Sequence, residues 1–159
     1  MILYHGSNVE VKEPILLKVQ RELDFGKGFY TTSDMEQAAR WAWRTAKRRG
    51  ESSAFVTVYE VNEDELKNIR LLSFDSPNVE WLNLVVKNRK GEYIAGDWDI
   101  ISGPVADDQT AQVIDLYLEG AYDEEEAIRR FLTQRLKDQY AFKTDEALKL
   151  LIFKEVITL

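Results

Sequence analysis

The hydrophobic pattern of this 159-residue chain passes back and forth between the two-residue period of strands and the 3.6-residue period of helices. It never settles into a regular strand–helix alternation and contains no internal repeat. That order predicts an α+β architecture rather than a parallel doubly wound sheet, and the length suits one domain. "MILYHGS" reads as a strand running into a Gly-Ser turn, and Asn8 to Leu23, with Pro14, as loop with a short strand over Ile15 to Val19. Strands are expected over Ala54 to Val61, Ile69 to Phe74, "WDIISGP", "QYAFK" and "IFKEVITL".

Helices are marked by their caps. Ser33 with Glu36 fits a capping box, and Met35, Ala38, Ala39, Ala42 and Ala46 then recur at helical spacing until Gly50. Further helices are expected from Asn78 through "NVEWLNLVVKNR", from Thr110 to Glu119 before Gly120, from Asp123 to about Lys137, and over "TDEALKLL" with Thr144 as its cap.

Composition removes several chemistries. Without cysteine there are no disulfides, zinc ribbons, iron–sulfur sites or thiol nucleophiles, and one histidine, His5, does not furnish a zinc or copper site. The net charge of −7 gives no whole-molecule field that recruits phosphate backbones. No apolar run of membrane-spanning length occurs, and "MILYHGSN" lacks the regions of a signal peptide, so a cytoplasmic location without membrane contact is expected.

The most informative stretch is "LDFGKGFYTTSDMEQAARWAW", Leu23 to Trp43. It is not a phosphate loop, because it lacks the four-residue spacing and the hydroxyl after Gly-Lys. Nor does it match the dinucleotide fingerprint, since Thr31 stands where the third glycine belongs. Spacing alone allows a structural role, with Gly26 and Gly28 shaping a turn and Phe29 and Tyr30 filling a core. The same holds for His5, at the end of its strand.

Together, "YHGS" at Tyr4 to Ser7 and "FGKGFYTTSDMEQAARWA" at Phe25 to Ala42 resemble the catalytic domain of poly(ADP-ribose) polymerases and diphtheria-toxin-type ADP-ribosyltransferases, with their His-Tyr-Glu triad. The arrangement also resembles a bacterial group of uncharacterised domains, DUF3990, that is classed with these transferases. The resemblance implies a split β-sheet core with flanking helices, and NAD as the substrate without a metal. It places His5 on ribose hydroxyls, the Gly6 backbone on the nicotinamide carboxamide, and Tyr30 and Trp41 as the two stacking aromatics. Ser7, Phe25 and Gly28 belong to the same NAD-binding surface by that likeness. Ala38 occupies the place of a carboxamide-binding serine.

The third triad position falls in "KDQYAFK", where Gln139 stands for the glutamate, so the resemblance reads His5, Tyr30, Gln139 as the catalytic set. Glutamine is not a general base, and loss of such a group typically lowers rates by about 10² to 10⁴. This favours transfer of one ADP-ribose, slow NAD hydrolysis or binding alone over chain elongation, unless the acceptor or one of Glu80, Asp107, Asp108 and Asp138 supplies the missing group. The implied function is an NAD-dependent mono-ADP-ribosyltransferase acting on a macromolecular acceptor, protein before nucleic acid. A toxin or defence effector held by an antitoxin protein is the implied setting. The alternatives are a degenerate module that binds NAD or ADP-ribose without turnover, and a structural domain that binds a protein partner. Arg40, Arg44, Lys47, Arg48 and Arg49 lie along one helix, as a solvated face or one that meets a pyrophosphate or an acidic partner. "DEEEAIRR" follows the helix dipole and calls for no functional role.

Overall fold

A computed structural model describes residues 1–18, 23–92, 97–106 and 108–159, with the side chains of 108 and 109 set aside. The strands are β1 (Ile2–Ser7), β2 (Phe29–Thr31), β3 (Phe55–Glu60), β4 (Leu71–Ser73), β5 (Ile100–Pro104), β6 (Asp138–Phe142) and β7 (Ile152–Thr158). Between them lie α1 (Met35–Arg48), α2 (Val79–Arg89), α3 (Asp108–Leu118), α4 (Glu124–Leu132) and α5 (Asp145–Leu148), with a 3₁₀ turn over Glu63–Asn68. One sheet has the order β1-β3-β7 and is antiparallel throughout. The other has the order β2-β6-β5-β4, and its β4–β5 pair is parallel because α2 carries the chain across between them. This is the α+β fold that the segment order predicts.

Alternation along the strands sorts the side chains into layers. Gly6 of β1 faces α1, whose Ala38, Ala42 and Ala46 are fully buried. Leu3 and Tyr59, on the other face of that sheet, join Phe29, Ile100 and Phe142 of the second sheet and Ala147 and Leu148 of α5. The far face of the second sheet, with Tyr30, Ile101 and Ala141, packs against Trp81, Leu82 and Val85 of α2, Ile114 of α3 and Phe131 of α4. Trp81 meets Phe131 edge to face at 5.1 Å and donates its indole N–H to the Pro104 carbonyl at 2.9 Å, so its polar atom is not left bare.

Three local expectations shift. Ile15 and Leu17 are exposed in a loop, not a strand, and Val19 lies outside the described residues. Helix α1 is capped by Asp34, which accepts from the Gln37 amide at 2.7 Å, rather than by Ser33. The reason is tertiary: the Asp138 carboxylate holds the Ser33 amide at 2.8 Å and its hydroxyl as well, so the helix begins after it. Helix α4 stops at Leu132, short of Lys137, because the Thr133 hydroxyl takes the Arg130 carbonyl at 2.8 Å and the Lys137 carbonyl pairs with Val105 at 2.8 Å. Gly50 and Gly120 end their helices with φ of +69° and +80°, as their positions predict.

Candidate functional site

The two sheets touch where β1 meets the residue after β2. Tyr4 and Thr32 exchange both backbone hydrogen bonds, at 2.8 and 2.9 Å. Continued antiparallel, this register pairs Gly6 with Tyr30, but the strands part. The Tyr30 carbonyl lies 2.7 Å from His5 Nδ1 instead. The imidazole, half-buried between the sheets, stacks on Phe29 at 4.1 Å with planes 24° apart.

This contact fixes the state of the ring. A carbonyl only accepts, so Nδ1 carries the proton and Nε2 offers a lone pair. Burial pushes the His5 pKa down to about 4 against the opposing pull of the Tyr30 carbonyl, so the ring is neutral at pH 7.

Backbone groups alternate in direction along a strand. Tyr4 turns its N–H and C=O toward Thr32, so Gly6 turns its own to the same edge, away from β3. Among the described residues, no hydrogen bond outside the β1–β3 ladder engages them. Gly6 is required by packing as well. A Cβ there would lie 1.9 Å from the Ala38 carbonyl oxygen and 2.8 Å from the Ala42 nitrogen, so α1 sits directly on this residue.

The remaining expected site residues divide between this junction and the core. Tyr30 is 7% exposed in the α2-side core, and its hydroxyl donates to Gly26 at 2.6 Å and accepts from the Phe25 amide at 2.9 Å. Phe25 is fully buried in the same cluster, and Gly26 turns with φ +79°. A Cβ on Gly28 would press on the Phe142 carbonyl at 3.0 Å. Ser7 closes β1, its hydroxyl 3.4 Å from Asn8 Oδ1 and from the Val9 amide. Trp41 is half-buried on α1, one turn past Ala38.

Gln139 is 3% exposed and donates to Asp24 Oδ2 at 3.0 Å and to the Pro104 carbonyl at 3.3 Å. The β2–β6 register places Phe29 and Thr31 on the face of Tyr140 and Asp138, and Tyr30 on the face of Ala141 and Gln139. His5 rests on the first face. The structure thus gathers His5, Gly6 and Phe29, and sets the Tyr30 and Gln139 side chains on the opposite face, in the core.

Of the four acids considered, Asp138 lies on the His5 face. Its Oδ1 accepts from the Thr32 hydroxyl at 3.1 Å and the Ser33 amide at 2.8 Å, while Oδ2 takes the Ser33 hydroxyl. It also lines a groove of about 190 Å³ with Ser73, Asp75, Ser102, Lys137 and Tyr140. Glu80 borders a separate apolar hollow of about 670 Å³ with Leu72, Phe74 and Leu84. Neither hollow includes His5 or Gly6. Asp107 and the Asp108 side chain lie outside the described residues.

Sequence reasoning missed Lys143. Its ammonium donates to the carbonyls of Phe25 at 2.6 Å and Lys27 at 2.7 Å, and burial pushes its pKa down to about 8. A lysine closing a strand carries no mark of this role, because its partners are backbone atoms of a loop far away in sequence. Among the described residues, no three His, Asp or Glu side chains gather as a metal site requires.

The family described as "Protein of unknown function (DUF3990)" matches residues 1–153. The chain belongs to the DUF3990 family. Searches of curated proteins and of solved structures found no match. In this DUF3990 chain no described helix is long and apolar enough to cross a membrane.

Proposed function

We propose that this DUF3990 protein is an NAD-dependent mono-ADP-ribosyltransferase of the His-Tyr-Glu type, built on an ADP-ribosyltransferase-like split sheet and acting on a macromolecular acceptor. The observation that carries the reading is the parted β1–β2 ladder. Gly6 is buried beside α1, and its one N–H and one C=O, turned off the β1–β3 ladder, form a pair complementary to a primary carboxamide, which offers one acceptor and two donors in a plane. Beside it, neutral His5 presents Nε2 to a ribose hydroxyl, with Nδ1 anchored on Tyr30. Nicotinamide and its ribose carry those two groups side by side.

Cleavage breaks the bond between ribose C1′ and the nicotinamide nitrogen, and the electron pair leaves with nicotinamide. The acceptor nucleophile bonds C1′ and gives up its proton. Holding both halves of NAD in one orientation accounts for much of what a site without a metal supplies. Of the four acids, Asp138 is the one that the described residues place on the His5 face, and a carboxylate oxygen that holds the Ser33 hydroxyl has a second lone pair. We assign to it the role that Gln139, turned toward Asp24, does not fill. Trp41 supplies the aromatic wall on α1, while Tyr30 holds the Phe25–Gly26 turn that shapes the site. A toxin or defence role under an antitoxin protein fits this activity.

A second reading, a module that binds NAD or ADP-ribose without turnover, draws support from the burial of Tyr30 and Gln139. Nicotinamide release by the purified protein, with and without cell lysate, separates the two. Release that rises with lysate supports the transferase. No release, together with a rise in melting temperature on adding NAD, supports the binding module. Neither effect removes both readings.

A further inference from the structure

The charge of this chain is strongly polarised. Between Met35 and Arg49 stand five of its 21 basic residues and one of its 28 acidic ones, a net of +4, so the remaining residues carry −11. Helix geometry places this charge. With Ala38, Ala42 and Ala46 buried against β1, the residues at i, i+3, i+4 and i+7 from Arg40, namely Arg40, Trp43, Arg44 and Lys47, fall on the opposite side. All four are exposed, and Trp43 shows 47% of its surface. An indole of this size is costly to leave in water, and here it stands inside a row of cations about 10 Å long.

We propose that the outer face of α1 is a docking surface for single-stranded nucleic acid, with Trp43 stacking on a base and Arg40, Arg44 and Lys47 contacting phosphates. Proteins that hold single strands combine a positive track with aromatic faces, because every base offers a π-face and every nucleotide a charge. An acidic protein segment would satisfy the cations but has no use for the ring, and exposed ion pairs alone contribute little. The pyrophosphate of NAD is a poor fit, since this face looks away from Gly6 across the width of α1. The whole-chain charge of −7 disfavours nucleic acid elsewhere on the surface and so confines the contact to this stripe. The inference stands apart from the transferase reading. Joined to it, the acceptor class becomes nucleic acid rather than protein.

The test is fluorescence anisotropy with labelled single-stranded RNA and DNA of about 12 nucleotides, and their duplexes, over a salt series starting near 50 mM. The intact protein should bind single strands in preference to duplex, with a slope of log K against log salt near −2, from about −0.7 for each of three phosphates. Binding should quench tryptophan fluorescence. Trp43→Ala should weaken binding by about 5- to 150-fold with the slope unchanged. Arg40→Ala/Arg44→Ala/Lys47→Ala should flatten the slope toward zero. Arg44→Glu alone, whose fold is checked by melting, serves if the triple variant does not fold.

Any of three results overturns the proposal: no binding at the lowest salt, binding that the variants leave untouched, or binding that a polyglutamate peptide matches. The last would assign the face to an acidic protein. Nicotinamide release without acceptor should be unchanged in Trp43→Ala, so a failed transferase assay and a failed binding assay remain separate results.

Discussion

The two faces of the β2–β6 pair handle polar groups in opposite ways. On the side of His5, a side chain takes the place of a ladder bond, and the Gly6 amide and carbonyl, buried beside α1, are turned away from β3 with no described partner outside the ladder. On the far side, the Asp24 carboxylate receives Arg89 at 3.0 and 3.3 Å, the Ala106 amide at 2.9 Å and Gln139 at 3.0 Å, the last two buried. The first arrangement leaves hydrogen-bonding capacity unused by the described fold, and the second uses it to hold the fold. Residues of one motif, His5 with Gly6 and Tyr30 with Gln139, are divided between these tasks. A match in sequence spacing therefore does not assign a shared role, because the pleat sends neighbouring positions to opposite faces.

The sharpest way to break this contrast is Asp138→Asn against Gln139→Ala. Nicotinamide release should fall by about 10² to 10⁴ in the first, with release by the second following only its loss of folded protein. The reverse pattern would return the role to Gln139. On the stability side, Gly6→Ala drives a methyl into the Ala38 carbonyl and should destabilise by about 3 kcal/mol or more in urea unfolding. A variant as stable as the parent would show that α1 is not seated on β1. Asp24→Ala leaves the Arg89 side chain, 29% exposed, with the Ala106 carbonyl but no carboxylate, and should lower stability by about 3 kcal/mol.

Smaller is the effect of His5 on pH dependence. An unfolded histidine takes a proton below about 6.5, whereas folded His5 does so near 4. The unfolded state therefore binds more protons between those values, and native stability falls as pH drops through that window. From pH 7 to 5 the fall should be about 2 kcal/mol greater in the parent than in His5→Gln, measured by urea midpoints, with His5 the only histidine of the chain. Equal falls would mean that the ring is not held neutral on Tyr30. Smallest is Gln139→Glu, which sets a second carboxylate about 3 Å from Asp24. One of the pair must stay protonated, so the variant should lose about 1 to 2 kcal/mol at pH 7 and recover part of it as pH falls. A gain in nicotinamide release without such a loss would place residue 139 in the site after all.

Much of the fold was legible in the sequence. Asn78, Asp123 and Thr144 cap the helices that their positions predicted, since a cap is a local hydrogen bond to an amide three residues on. The alternating runs became β3 and β7 for the same reason of local periodicity. The three-residue strand β2 was not read as a strand at all, being too short to show a period and held by β6 from more than a hundred residues away. Of the site, the pairing of His5 with Gly6 was visible as a motif, but the partner of each was not.

By itself the sequence determined the α+β class, the caps at Asn78, Asp123 and Thr144, the absence of thiol chemistry and the row of cations on α1, because each depends on residue type and on spacing within a few positions. Only the tertiary structure decided that Asp138 and not Gln139 shares a face with His5, that Tyr30 is turned into the core, and that the Gly6 backbone groups pair with nothing described outside the β1–β3 ladder. Those outcomes depend on the register of strands distant in the chain and on a side chain displacing a ladder bond, and neither leaves a trace in local composition.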